Sequence, residues 1–148
     1  MTARRWHIQD SEALMAALGE IVQIPTPLVI TAKQGEETRR DRQNRFAFEA
    51  YNQIATILGD RDTSDVRAES KLHIGVPVMR AANPDFCAAY DEMIRPLPYE
   101  HKRAMMVEPF DFAVTRIMTV KLMAEYITQM LAHWDAQGAS VMLPDYEI

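Results

Sequence analysis

Residues 37–58 read Glu37-Thr-Arg-Arg-Asp-Arg-Gln-Asn-Arg-Phe-Ala-Phe-Glu-Ala-Tyr-Asn-Gln-Ile-Ala-Thr-Ile-Leu58. Phe46, Ala50, Ile54 and Leu58 recur every four residues, with Ala47, Tyr51 and Ile57 on the adjoining rows. That spacing makes one apolar stripe on a helix and leaves Arg45, Glu49, Asn52 and Gln53 on its polar side. The first half of the stretch carries Arg39, Arg40, Arg42 and Arg45, with Gln43 and Asn44 between them. A helix start has unpaired backbone N–H groups and the positive end of the dipole, so guanidinium groups delivered there suit a phosphate. The plainer reading is a solvated face, because Glu36, Glu37 and Asp41 lie among the arginines and Lys33.

Working outward toward the N-terminus, Lys33–Thr38 is a polar turn and Leu28-Val-Ile-Thr31 a β-branched strand. Pro25 and Pro27 separate that strand from a helix that Asp10 or Ser11 caps and that runs to about Val22. Its core face is Leu14, Leu18 and Ile21, and Arg4–Ile8 alternates as a short strand before it. This strand–helix–strand opening implies a small sheet backed by helices.

Toward the C-terminus, Gly59 sits where a left-handed helix cap belongs. Thr63 or Ser64 caps a helix over Asp65–His73, Gly75 stops it, and Pro77 opposes a restart. Asn83-Pro84 opens a helix through Ile94, and Pro98–Met106 forms a shorter one. Pro109–Val114 alternates as a third strand, with Phe110, Phe112 and Val114 on one face. Thr119 caps a last helix, Val120–Gln137, which Gly138 ends. Its stripe of Met123, Tyr126, Ile127, Met130, Leu131 and Trp134 suits a core or an interface. Val141–Pro144 runs out as an extended tail. The expected fold is α/β (α+β): a small mixed sheet with about four or five helices, in a single domain over 1–148.

The chain has 148 residues, 48% of them apolar and 25% charged, as in a soluble domain with a sizeable core. The single cysteine, Cys87, excludes an internal disulfide framework and a cysteine zinc site. No apolar run approaches the roughly 20 residues of a membrane helix, and nothing suggests export, so the expected location is cytoplasmic. The net charge of −5 argues against a general nucleic-acid coat. Basic and acidic residues nearly balance over 1–74, ten against eleven, but stand at six against ten over 75–148. An anion-binding patch is therefore local and belongs to the first half.

Two segments together resemble the phage NinB/Orf recombination-protein family. Pro27-Leu-Val-Ile-Thr-Ala-Lys33 followed by Arg39-Arg-Asp-Arg-Gln-Asn-Arg45 is similar to the family's strand and "Arg-(Ser/Thr)-x-x-Gln-Asn-(Arg/Lys)" signature, with Arg40 in place of the Ser or Thr. Thr115-Arg-Ile-Met-Thr119, Lys121–Ile127 and Gly138–Pro144 are similar to its C-terminal strand, helix and tail. The resemblance covers roughly half of the chain. It implies an accessory protein of phage recombination that binds single-stranded or gapped DNA, engages host single-strand-binding protein, assists recombinase loading and forms a homodimer. The candidate nucleic-acid-binding residues are Lys33, Arg39, Arg40, Arg42, Gln43, Asn44 and Arg45. Gln43 and Asn44, being uncharged, suit a structural role through backbone hydrogen bonds as well as a DNA contact.

Catalytic machinery is not legible. His7, His73, His101 and His133 are far apart in sequence, and no nucleophile elbow or glycine-rich phosphate loop occurs. The expectation is no catalytic residue, no metal and no cofactor. Asp60, Asp62, Asp65 and Glu69 are the one acidic grouping suited to Mg2+, but Arg61, Arg67 and Lys71 are interleaved and suited to pair with it. A metal-dependent nuclease is thus one alternative. A protein-only module that binds a host factor is another.

Overall fold

The computed structural model describes residues 4–35 and 38–143. The chain divides into two compact units, Met1–Glu37 and Thr38–Ile148. In the first, helix α1 (Ser11–Ile21) starts at Asp10, whose side chain accepts the Ala13 N–H. Trp6 Nε1 donates to Glu20 Oε2 at 2.9 Å. Of the face expected to form a core, Leu14 and Leu18 stay 42% and 44% exposed, and Ala17 is the buried residue of this helix.

The second unit is built on the opening stretch, which forms α2 (Arg39–Leu58). Thr38 and Asp41 exchange hydrogen bonds as a capping box, and Gly59 ends the helix at φ 75°, a left-handed conformation suited to glycine. Of the stripe read from the sequence, Phe46, Ala47, Ala50, Tyr51 and Ile54 are buried, with Ala55 beside them, while Leu58 is half-buried and Ile57 stays 45% exposed. Helix α3 (Thr63–Ser70), capped by Asp62, runs through a widened π-helical turn (Lys71–Gly75) into α4 (Val76–Ala82). Then come α5 (Pro84–Met93), α6 (Tyr99–Met105), a 3-10 turn (Thr115–Ile117) and α7 (Val120–Ala136). Helices α2 and α7 run side by side in the same direction. Gln43 Nε2 meets the Val120 carbonyl at 2.9 Å near one end, and the Tyr51 and Tyr126 hydroxyls meet at 2.5 Å farther along.

The mixed sheet expected from the sequence is absent: no strand occurs among the described residues, and the chain is helical. Residues 4–9 and 28–34 lie outside any regular element, and Val29 and Ile30 are 91% and 63% exposed. The alternating segment 109–114 is bent, not extended. Asp111 takes a left-handed φ of 43°, and the Asp111 and Phe112 N–H groups bond back to the Val107 and Met105 carbonyls. The bend also parts the face expected to hold Phe110, Phe112 and Val114: Phe110 faces water, while Phe112 packs against the rings of Phe86 and Tyr90 and Val114 is buried. With helices on every side, a period of two found no neighbouring strand to pair with. Pro144 of the expected tail lies outside the described residues.

Glycine 75 does not stop its helix. An added Cβ would come within 2.8 Å of Val114 Cγ1 and 3.5 Å of Tyr126 Cε2, so the glycine lets α7 and the 112–118 segment close on the π-helical turn. Pro77 falls in the first turn of α4, where a missing N–H is tolerated. Gly75→Ala is expected to destabilise the second unit by about 1–3 kcal/mol through overpacking. Thermal melting followed by circular dichroism checks it; an unchanged midpoint would mean that Val114 yields freely.

Candidate nucleic-acid interface

Arg40 reaches across from the first turn of α2 and donates to the Thr115 carbonyl at 2.7 Å and to the Met118 carbonyl. This ties the 3-10 turn to α2 and brings Arg116 into place. Between them opens a cleft of about 360 Å³, lined by Arg40, Asn44, Ala47, Phe48 and Tyr51 of α2, Arg67 of α3, Thr115, Arg116 and Met123. Three guanidinium groups line it and no carboxylate does. Phe48 is 46% exposed on the same helix face as Arg40 and Asn44.

One carboxylate organises the cations from behind. Asp111 accepts from Lys71 Nζ at 2.8 Å and from Arg67 at 2.9 Å, with Arg116 at 4.0 Å. Partial burial raises the Asp111 pKa, but hydrogen bonds from Lys71 and Arg67 outweigh this and bring it down to about 2. Lys71 is 1% exposed; its ammonium also donates to the Met106 carbonyl at 2.7 Å. Burial lowers the Lys71 pKa, and the Asp111 hydrogen bond opposes that. Three cations thus meet at one carboxylate and Arg40 lines the same cleft, leaving an excess of positive charge in a chain whose net charge is −5. Tyr51, at the cleft floor, is pushed by burial up to about 12, so its hydroxyl stays neutral beside Tyr126.

No family model, curated protein or solved structure matches the chain.

The residues singled out in the sequence are divided by the fold. Arg40 and Asn44 line the cleft. Gln43 is fully buried, holding the first residue of α7 through Val120, and its Oε1 has no hydrogen-bond partner among the described residues. That is a structural role, directed at the last helix. Arg39, Arg42 and Arg45 leave α2 at other angles, since successive residues turn by about 100°, and Arg45 lies 3.9 Å from Glu49. Lys33 is exposed in the first unit. Glu36 and Glu37, the expected neutralising groups, lie outside the described residues.

Sequence reading missed Arg67, Arg116, Lys71 and Asp111 as members of this site. Arg67 and Lys71 were expected to pair with Asp65 and Glu69, and both turn to Asp111 instead. Asp65 and Glu69 are taken by Arg103 at 3.0 and 3.2 Å, and Glu69 also by Arg61 at 2.7 Å. Asp62 and Asp65 form the α3 capping box. Among the described residues no three His, Cys, Asp or Glu side chains are grouped to hold a metal ion.

The last-helix stripe is also settled. Met123, Tyr126, Ile127, Met130 and Trp134 are buried within one chain and Leu131 is half-buried, so that face is core.

Proposed function

We propose that the chain binds single-stranded nucleic acid, with phosphates held by Arg40, Arg67 and Arg116 and a base set against Phe48. The observation that carries this reading is the exposed Phe48 ring on a cleft lined by three guanidinium groups and no carboxylate. Single-strand binders combine a cationic track with an aromatic face on which a base stacks. In a duplex the base faces are already covered, so the ring favours a single strand. The wider reading, an accessory protein of phage recombination that acts on single-stranded or gapped DNA beside host single-strand-binding protein, rests on the resemblance to the NinB/Orf family. The strands implied by that resemblance are absent from 28–33 and from the segment before Thr119.

Arg116 tests the site with little risk to the fold, because its side chain is 64% exposed and only 4.0 Å from Asp111. Fluorescence anisotropy of a labelled oligo-dT strand across a salt series is expected to show log-linear loss of affinity. Arg116→Ala should lower the slope by about 0.7. Phe48→Ala should leave the slope unchanged while weakening binding by about 1–3 kcal/mol. If wild type shows no salt-dependent binding, or if Arg116→Ala keeps both affinity and slope, the cleft is not the site.

A further inference from the structure

The cleft beside α2 is crossed at one end by a side chain. At the first turn of the helix, Arg40 spans from one wall to the other and directs two of its five N–H donors to the Thr115 and Met118 carbonyls. The cleft volume of about 360 Å³ stands near the lower bound of small-ligand pockets, which run from about 300 to 1,000 Å³. A strand running through so small a space would have to pass the Arg40 bridge. A strand that ends there meets no such obstacle.

Charge points the same way. Lys71, 2.8 Å from Asp111, offsets that carboxylate from the buried side. The guanidinium groups of Arg40, Arg67 and Arg116 then line a cleft to which no carboxylate contributes. The Arg116 side chain is 64% exposed and 4.0 Å from Asp111, so its planar fork is open to a ligand. A phosphodiester inside a strand carries one negative charge. A phosphate monoester at a strand end carries about 1.5–2 near neutral pH and offers three acceptor oxygens. Three guanidinium forks around one small cleft match the monoester better.

We propose that the cleft binds the phosphorylated end of a single strand, with the terminal phosphate monoester held by Arg40, Arg67 and Arg116. Arg40, Asn44 and Phe48 recur every four residues along one face of α2, which sets the phosphate at one end of the row and the first base toward the Phe48 ring. This rests on the single-strand reading and narrows it from any stretch of a strand to its terminus.

Fluorescence anisotropy with oligo-dT strands labelled at the far end tests it. The strands carry a 5′-phosphate, a 3′-phosphate, either phosphate capped as its methyl ester, or hydroxyls alone. One phosphorylated end is expected to bind about tenfold more tightly than the hydroxyl strand, the gain of one further charge-assisted hydrogen bond. Which end gains identifies the polarity. The methyl ester, left with one charge, should lose most of that gain, and so should the free phosphate with Arg116→Ala. Equal binding of all the strands, with the salt slope and its loss in Arg116→Ala intact, would overturn the proposal and leave the single-strand reading standing. A methyl ester as tight as the free phosphate, or a gain that survives Arg116→Ala, would also overturn it. If no strand binds, both readings fall.

Discussion

Asp111→Asn is expected to destabilise the protein by about 3–5 kcal/mol, the loss typical of breaking a buried ion pair from one side. Asparagine keeps the size and tolerates the left-handed φ of 43° at this position, so charge is the main thing removed. The Lys71 ammonium, 1% exposed, would then be left with only the Met106 carbonyl as a firm partner. The reverse substitution is much milder. Lys71→Met removes the buried charge and keeps the volume, while Asp111 retains Arg67 at 2.9 Å, so a change within about 1 kcal/mol is expected. Urea denaturation of the two variants separates these effects. Asp111→Asn unfolding at the wild-type midpoint would mean that Lys71 finds water or another acceptor.

The same carboxylate sets a pH window. Its folded pKa of about 2 lies below the ordinary value of about 3.9 for an unfolded aspartate. The stability it contributes is complete above the unfolded value and is lost as pH falls through the folded one. Wild type should therefore lose this contribution between about pH 4 and pH 2, and Asp111→Asn should show none of it. Equal acid sensitivity in both proteins would contradict the assignment.

Trp134→Glu carries the other large effect. Trp134 is fully buried, its Nε1 donates to Ser70 Oγ at 2.8 Å, and the Arg61 guanidinium lies 5.6 Å from its ring centroid. Truncating such a side chain alone costs about 3–5 kcal/mol, and a carboxylate in its place adds the desolvation of a charge. An unfolded or aggregated protein is expected, in contrast with Met142→Glu, whose 82% exposed side chain should tolerate the change. Sedimentation and circular dichroism decide. A folded, soluble monomer from Trp134→Glu would return the stripe to the role of an interface.

The sequence was most legible where local chemistry governs. The α2 stripe, the Gly59 cap, the Asn83-Pro84 start and the Thr119 cap of α7 all stand where spacing and capping residues placed them. It misled where a β-branched run or a period of two was taken for a strand. Residues 28–31 are the first and 109–114 the second, but no strand lies beside either among the described residues, and Asp111 bends the second. The cleft was half legible. Arg40 and Asn44 come from the arginine-rich start, but Arg67 and Arg116 reach it from distant segments with no spacing in common. Their meeting depends on the Arg40 bridge to Thr115 and Met118, which only the folded chain shows.

The widened turn at Lys71–Gly75 also bears on descent. The Val76 N–H bonds to the Lys71 carbonyl five residues back, so this turn holds one residue more than its neighbours. Such a turn is what a helix makes of a single inserted codon when it absorbs the extra residue instead of breaking. Everything beyond the insertion is rotated by about 100° relative to everything before it. Here that phase shift lets Val66 and Ser70 upstream and Val76 and Met79 downstream all be buried, with Lys71 at the junction turned to Asp111. A descendant or ancestor lacking the codon would keep an unbroken α-helix, and would have to find another residue to meet Asp111.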